Sequence, residues 1–178
     1  MADNYKDRIG TIMITQEEIN KRAEEIGSQI TSDFEGESVI LIGILKGAVL
    51  WLSDVAKQVK LDCRLDFMAC SSYGASTKSS GVVRILKDLD APIDGQNVVI
   101  VEDIVDTGNT LKYLRENLKQ RGAKCVKICT LLDKPAGRKV ELEADYVGFT
   151  VEDRFIIGYG LDFDQKYRNL PYISYLEN

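Results

Sequence analysis

Val98-Val99-Ile100-Val101-Glu102-Asp103-Ile104-Val105-Asp106-Thr107-Gly108-Asn109-Thr110 changes character twice within a short span. Val98 to Val101 are apolar and mostly β-branched, the composition of a buried central strand. Glu102, Asp103 and then Asp106 follow, and Thr107, Gly108, Asn109 and Thr110 lead to Leu111, where a helical pattern opens. A strand that delivers carboxylates and a Thr/Gly loop to a helix start has two chemical uses. The loop amides and hydroxyls can hold a phosphate, because a helix start carries unpaired N–H groups and a positive dipole end. The acids suit a sugar diol, a metal ion or a proton. The stretch is not a nucleotide P-loop: it lacks that motif's glycine spacing and its Gly-Lys-Ser/Thr ending. The plain alternative is an acidic strand end, a turn and a helix cap. Against it, three acids so close together are costly unless something cationic or polyhydroxylated binds.

The same layout recurs on either side. Leu111 to Gln120 reads as a helix, with Gly122 at its C′ position, and Cys125 to Leu132 as the next strand, completing a β-α-β unit. That strand ends at Asp133-Lys134-Pro135. Upstream, Val39 to Leu45 reads as a buried strand, Lys46-Gly47 as a short loop and Ala48 to Val59 as a helix. Loops at the carboxyl ends of parallel strands are where α/β sheets place their ligands. Thr15-Gln16-Glu17-Glu18 predicts a capping box, with a helix over 16–32 whose apolar positions are Ile19, Ala23, Ile26 and Ile30. Ile12 and Ile14 predict a short edge strand, and Met1 to Arg8 a frayed polar end. Further strands are expected at Leu61 to Ala69, Val82 to Leu86 and Asp145 to Val151, the first with Leu61, Cys63, Leu65 and Phe67 on one face.

The 178 residues fit one domain with a sizeable core, expected to span 1–178. A net charge of −5 argues against a general nucleic-acid binder. The longest apolar stretch, Val39 to Leu52, is too short for a membrane span and carries Lys46 at its middle. There is no histidine, so acid–base work falls to Asp, Glu, Lys, Tyr or Cys, and any metal held by the acids would be a hard ion such as Mg²⁺. The four cysteines form no Cys-x-x-Cys pair, and Cys125 and Cys129 fall on one face of one strand, which suits core packing better than zinc. With no signal peptide at the N-terminus, the expected setting is a reducing cytoplasm.

Val98 to Thr110 resembles the phosphoribosyl-diphosphate signature of the type I phosphoribosyltransferases: an apolar strand, two acids, two apolar residues, then Asp-Thr-Gly-x-Thr. The Glu-Asp pair with Asp106 is similar to the 6-oxopurine branch, the hypoxanthine–guanine phosphoribosyltransferases. The likeness covers roughly residues 10 to 170 and implies a parallel β-sheet core flanked by helices, with a small hood built from the terminal segments. It also implies transfer of a phosphoribosyl group from phosphoribosyl diphosphate to hypoxanthine (giving IMP) and guanine (giving GMP), with Mg²⁺ and a homo-oligomer, dimer or tetramer. Neither nucleic acid nor membrane is an expected partner.

Roles follow from the resemblance residue by residue. Glu102, Asp103, Asp106, Thr107, Gly108, Asn109 and Thr110 would bind the phosphoribosyl group and its 5-phosphate, with Asp106 catalytic at the purine N7. Lys46, Gly47 and Arg168 would bind diphosphate. The peptide before such a lysine is often cis in the family. Glu102, Asp103 and Asp162 would approach the metal. Lys134 would donate to the C6 oxygen, Phe155 would stack on the purine, and Ile156 and Asp162 would meet the base. A flexible loop at about 71–81 would close over the site, with Ser72 and Tyr73 reaching the substrate. Plainer readings stand beside these: a surface position for Lys46 or Lys134, core packing for Phe155, a hairpin loop for 71–81. Arg154 stands where relatives can carry lysine, and its role is open. Rival functions are a regulatory nucleic-acid-binding protein on the same fold and a transferase for adenine or orotate.

Overall fold

The structure is a computed structural model that describes residues 9–72 and 83–177. The polar start 1–8, and Tyr73 with the rest of the expected loop after Ser72, lie outside the described residues. Six strands form the main sheet: β1 (Val39–Leu45), β2 (Cys63–Ser72), β3 (Val83–Lys87), β4 (Asn97–Val105), β5 (Cys125–Asp133) and β6 (Tyr146–Thr150), in the order β3-β2-β1-β4-β5-β6. All neighbours pair in parallel except β2 and β3, which are antiparallel, so the sheet is mixed rather than purely parallel. A parallel pair needs a crossover connection, whereas β2 and β3, consecutive in the chain, lie antiparallel side by side.

Alternation along the central strands sends side chains into two separate cores. Val39 and Leu41 of β1 and Val99 and Val101 of β4 pack with α1 (Gln16–Asp33) and α2 (Val49–Gln58). Ile40, Ile42 and Ile44, with Val98 and Ile100, pack on the other face with Leu111, Leu114 and Leu118 of α3 (Asn109–Gln120). Both faces of β1 and β4 are therefore covered, which explains their uninterrupted apolar runs. The free edge at β6 is covered in part by Arg22, which donates to the carbonyls of Val147 and Gly148. Cys125 and Cys129 share the first core as free thiols, and burial pushes the Cys129 thiol up to about 12.

Two expectations shift. β4 does not stop at Val101 but runs through Glu102 and Asp103 to Val105. Leu65 is 48% exposed, although Cys63 and Phe67 pack against the core.

A second, two-stranded antiparallel sheet joins β7 (Ile156–Ile157) to β8 (Ser174–Tyr175). The early chain joins it through antiparallel bridges from Ile9 to Leu176 and from Ile14 to Ile173. Ile14 is thus the edge pairing expected of the 12–14 segment, while Ile12 points outward at 52% exposure. No helix among the described residues is long and apolar enough to cross a membrane.

Candidate active site

The carboxyl ends of β1 and β4, the start of α3 and the far Arg168 surround a cavity of ≈ 340 Å³. Lys46, Gly47, Glu102, Asp103, Asp106, Thr107, Gly108, Thr110 and Arg168 all line it. Every expected donor-binding residue except Asn109, the first residue of α3, therefore reaches one hollow. Cys70 also lines it, a position that the sequence did not single out. Burial, with the charges of Glu102 and Asp88, pushes the Cys70 thiol up to about 11, which makes it a wall rather than a nucleophile.

Glu102 and Asp103 hang from consecutive residues of β4. Glu102 Oε1 accepts from the Asp103 amide at 3.1 Å, and Asp103 Oδ1 accepts from the Ile104 amide at 2.7 Å. Burial raises both carboxyls, and the Asp103 charge lifts Glu102 further, while the Arg168 charge counteracts the rise at Asp103. Such a pair favours the arrival of a cation or of hydroxyl donors.

The β1–α2 loop reaches this pair through its backbone. The Leu45–Lys46 peptide is cis. A Cβ at Gly47 would fall 1.6 Å from Asp103 Oδ2, and one at Gly160 would fall 2.0 Å from the Gly47 carbonyl oxygen. Asp103, Gly47 and Gly160 are thus stacked without room for side chains. Arg168 extends the stack, its NH1 donating to the Gly160 carbonyl at 2.7 Å and its NH2 pairing with Asp162 Oδ1 at 2.7 Å.

At the other side, α3 begins at Gly108 with φ 81° and no side-chain cap on its first turn. The loop after β5 is clipped against this start: the Lys134 amide donates to the Val105 carbonyl at 2.9 Å and the Lys139 amide to the Thr107 carbonyl at 3.0 Å. Lys134 Nζ lies 3.0 Å from Asp106 Oδ2 and 3.1 Å from Asp153 Oδ1. Burial pulls the Lys134 ammonium down, but the hydrogen bonds and charges of Asp106 and Asp153 outweigh it and hold it above the usual lysine range. Gly137 lets the loop close, since a Cβ there would fall 1.7 Å from Asp106 Oδ1.

The expected base-side residues are less gathered. Lys134 reaches the cavity's rim through Asp106, but Lys134, Phe155, Ile156 and Asp162 do not line the hollow itself. Phe155 is not a core residue: it is 55% exposed and meets Phe163 edge-on, with ring centroids 5.5 Å apart. Ile156 is buried and pairs with Tyr175 in β7–β8. Ser72 ends β2, paired with Val83. Arg154 stacks over the Tyr175 ring at 4.8 Å. Glu102, Asp103 and Asp162 are not gathered into one cluster: among the described residues no three acids or thiols are grouped, and Asp162 is engaged by Arg168 and by the Gln165 amide. Glu102 and Asp103 remain as a two-carboxylate set.

Comparison with known proteins gives four findings. Residues 13–164 match the model of the phosphoribosyl transferase domain. The chain is 49% identical over 172 residues to the hypoxanthine-guanine phosphoribosyltransferase of Bacillus subtilis (strain 168), covering 97% of this chain and 96% of that protein. It is also 49% identical over 175 residues to the bifunctional protein TilS/HprT of Listeria monocytogenes, of whose length the match spans 27%. A solved hypoxanthine phosphoribosyltransferase from Staphylococcus aureus superimposes with a TM-score of 0.94 at 42% identity, over 99% of this chain and 96% of that one.

Proposed function

The chain belongs to the phosphoribosyl transferase domain family, and on that premise we propose that it joins hypoxanthine or guanine to ribose 5-phosphate, taking the sugar from phosphoribosyl diphosphate and releasing diphosphate. One observation carries the reading: a single cavity is lined by a half-buried carboxylate pair, a helix start with glycine at its cap position, and Lys46 and Arg168. These match the three parts of the donor, a diol, a phosphomonoester and a diphosphate.

Thr107, Gly108, Asn109 and Thr110 hold the 5-phosphate at the start of α3, where amides and dipole favour an anion. Glu102 and Asp103 accept hydrogen bonds from the ribose hydroxyls. The same pair fits Mg²⁺, which one or two carboxylates commonly hold while water and substrate oxygens complete its shell. When bound, that ion supplies positive charge against the diphosphate. Lys46 and Arg168 stabilise the charge gathering on the leaving diphosphate, the electrostatic contribution that usually dominates such a barrier. Asp162 acts through Arg168, fixing its guanidinium.

Lys134 and Asp106 read the base together. The C6 oxygen and N7 lie on one edge of a purine, and the 3.0 Å pair of ammonium and carboxylate presents a donor and an acceptor side by side. Lysine can only donate, so it accepts a 6-oxo group and rejects a 6-amino one. Asp106 takes the proton of N7 as the new bond forms. Phe155, exposed and ready to receive a flat ring, stacks on the purine, and Ile156 meets its edge through backbone groups.

The β7–β8 sheet with the early chain forms the hood over this site, and the loop at 71–81, with Ser72 and Tyr73, closes it. The whole of 1–178 acts as one domain. Exposed Leu65 and Leu86 support a homo-oligomer, and the four free thiols support a cytoplasmic setting.

A purine panel tests the reading. Purified protein with Mg²⁺ and phosphoribosyl diphosphate is given hypoxanthine, guanine, xanthine, adenine and orotate separately, with Asp106→Asn as control. Nucleotide from hypoxanthine and guanine, lost in the control, is the expected result. No product from any base would overturn it.

A further inference from the structure

Gln165 was not among the residues that the sequence marked, yet it joins the two diphosphate cations. Lys46 Nζ donates to its Oε1 at 3.3 Å, and Arg168 NH2 donates to the same oxygen at 3.4 Å. Lys46 follows β1, so an ammonium and a guanidinium from distant parts of the chain share one neutral acceptor.

The backbone around Gln165 is built for this. Phe163 and Lys166 exchange amide–carbonyl bonds at 3.2 and 3.0 Å across a two-residue turn. Its central residues, Asp164 and Gln165, have φ of 51° and 61°. Both are left-handed, which is the type I′ geometry usually given to Asn-Gly. Asp164 suits such a turn, but Gln165 is not a residue that the turn would select for itself. The turn is fastened from inside by Asp162, whose Oδ2 accepts from the Gln165 amide at 2.8 Å while its Oδ1 holds Arg168 at 2.7 Å. One carboxylate therefore fixes both Gln165 and the cation that Gln165 contacts.

We propose that Gln165 is a positioning residue for diphosphate: its side-chain carbonyl holds Lys46 and Arg168 at the spacing that a diphosphate group requires. The inference rests on the reading of those two cations as diphosphate contacts. Two like charges left alone drift apart, and a substrate must then bring them together at the expense of its own binding. An amide oxygen prevents this without cancelling their charge, which a carboxylate in the same place would do. Donor arithmetic lets the amide stay while the ligand binds. An ammonium has three hydrogens and Gln165 takes one; a guanidinium has five, and Gly160, Asp162 and Gln165 leave NH1 with a hydrogen to offer.

The test is titration calorimetry of the full chain with inorganic diphosphate and Mg²⁺, alongside steady-state kinetics in both substrates. Gln165→Ala should bind diphosphate roughly three- to tenfold more weakly, the range of one ordinary hydrogen bond, since both contacts are long at 3.3 and 3.4 Å. KM for phosphoribosyl diphosphate should rise in parallel and kcat should fall, because the same cations stabilise the leaving diphosphate, with KM for hypoxanthine unchanged. Gln165→Glu should weaken diphosphate further, by neutralising the cations. Gln165→Gly, which suits the left-handed turn but lacks the amide, should behave like Gln165→Ala; recovery to wild-type affinity would make turn strain the cause and overturn the proposal. So would unchanged diphosphate affinity in Gln165→Ala, or an equal loss for hypoxanthine. Wild-type protein that binds neither diphosphate nor phosphoribosyl diphosphate would instead sink the functional reading beneath it.

Discussion

α1 and α3 begin in opposite ways. At the start of α1, Thr15 accepts from the Glu18 amide at 3.2 Å and Glu18 Oε2 accepts from the Thr15 amide at 2.8 Å, so the helix closes its own end. At the start of α3, Gly108 stands where a capping side chain would be, and the first turn has only a long bond from the Asn109 amide to the Thr107 hydroxyl at 3.4 Å. A helix start leaves amides without helical partners, and something must satisfy them. The end remote from the cavity uses its own side chains and stabilises the fold. On the reading proposed above, the end at the cavity keeps its donors for the 5-phosphate, and with glycine in place of a capping side chain it forgoes only about a few tenths of a kcal/mol. Stability and function are thus separated between two examples of the same element.

Substitutions at the two ends should separate in the same way. Asp106→Asn, at the mouth of the open end, should lower kcat by roughly 10²–10³-fold, the scale of general-base catalysis. Its thermal unfolding should match the wild type, and full turnover in the variant would reduce the open end to a phosphate cradle. Gly108→Ala is the next largest. A side chain at φ 81° costs about 1–2 kcal/mol, and its Cβ would press on Val140 at 3.1 Å and Arg138 at 3.2 Å. KM for phosphoribosyl diphosphate should rise about tenfold for such an energy; a rise in the KM of the base instead would move the phosphate elsewhere. Thr15→Ala should do the reverse, losing about 1 kcal/mol, or roughly 2–4 °C in Tm, with both KM values and kcat unchanged. Any kinetic effect would break the separation.

The smallest effect concerns charge at the closed end. Hydrogen bonds from the Thr15 backbone and then its side chain hold the Glu18 carboxyl below the usual glutamate range. A carboxyl lowered in the folded state adds stability above its unfolded pKa and loses it as pH falls through its folded pKa. Wild type should therefore exceed Glu18→Gln in Tm at neutral pH, and the difference should vanish in acid. A difference that persists in acid would assign the effect to packing.

The capping box was legible because its four residues are adjacent, and so was the central strand, because an apolar run passes directly into Asp-Thr-Gly-Asn-Thr. Lys46 and Gly47 were found by the same strand–loop–helix layout. What escaped depends on contacts between distant segments. β4 continues through two acids because β5 keeps pairing with it from Glu102 to Val105 after its ladder with β1 ends at Val101, a tertiary override of poor strand formers. Gly137 and Gly160 carry no local signal of the backbone or carboxylate that each must admit. Asp153 and Gln165 lie within charged runs that give no sign of what each will meet, and the Asp164-Gln165 turn lacks the Gly usual at its second central position. Whether Asp162 faces the acids or Arg168 is likewise decided by the 162–168 turn, not by spacing.

The stack of Asp103, Gly47, Gly160 and Arg168 also sets a clock on the ribosome. Its members come from three separated stretches, so the cation pair cannot be assembled until Arg168 has emerged. Synthesis at roughly 5–20 residues per second leaves several seconds in which Lys46 and the acid pair exist without their last partner. During that interval the nascent chain can pair β1 with β2 and β4, but the acids face only solvent and one cation. Catalytic competence then reports complete folding: a chain that turns over substrate has brought its final quarter home.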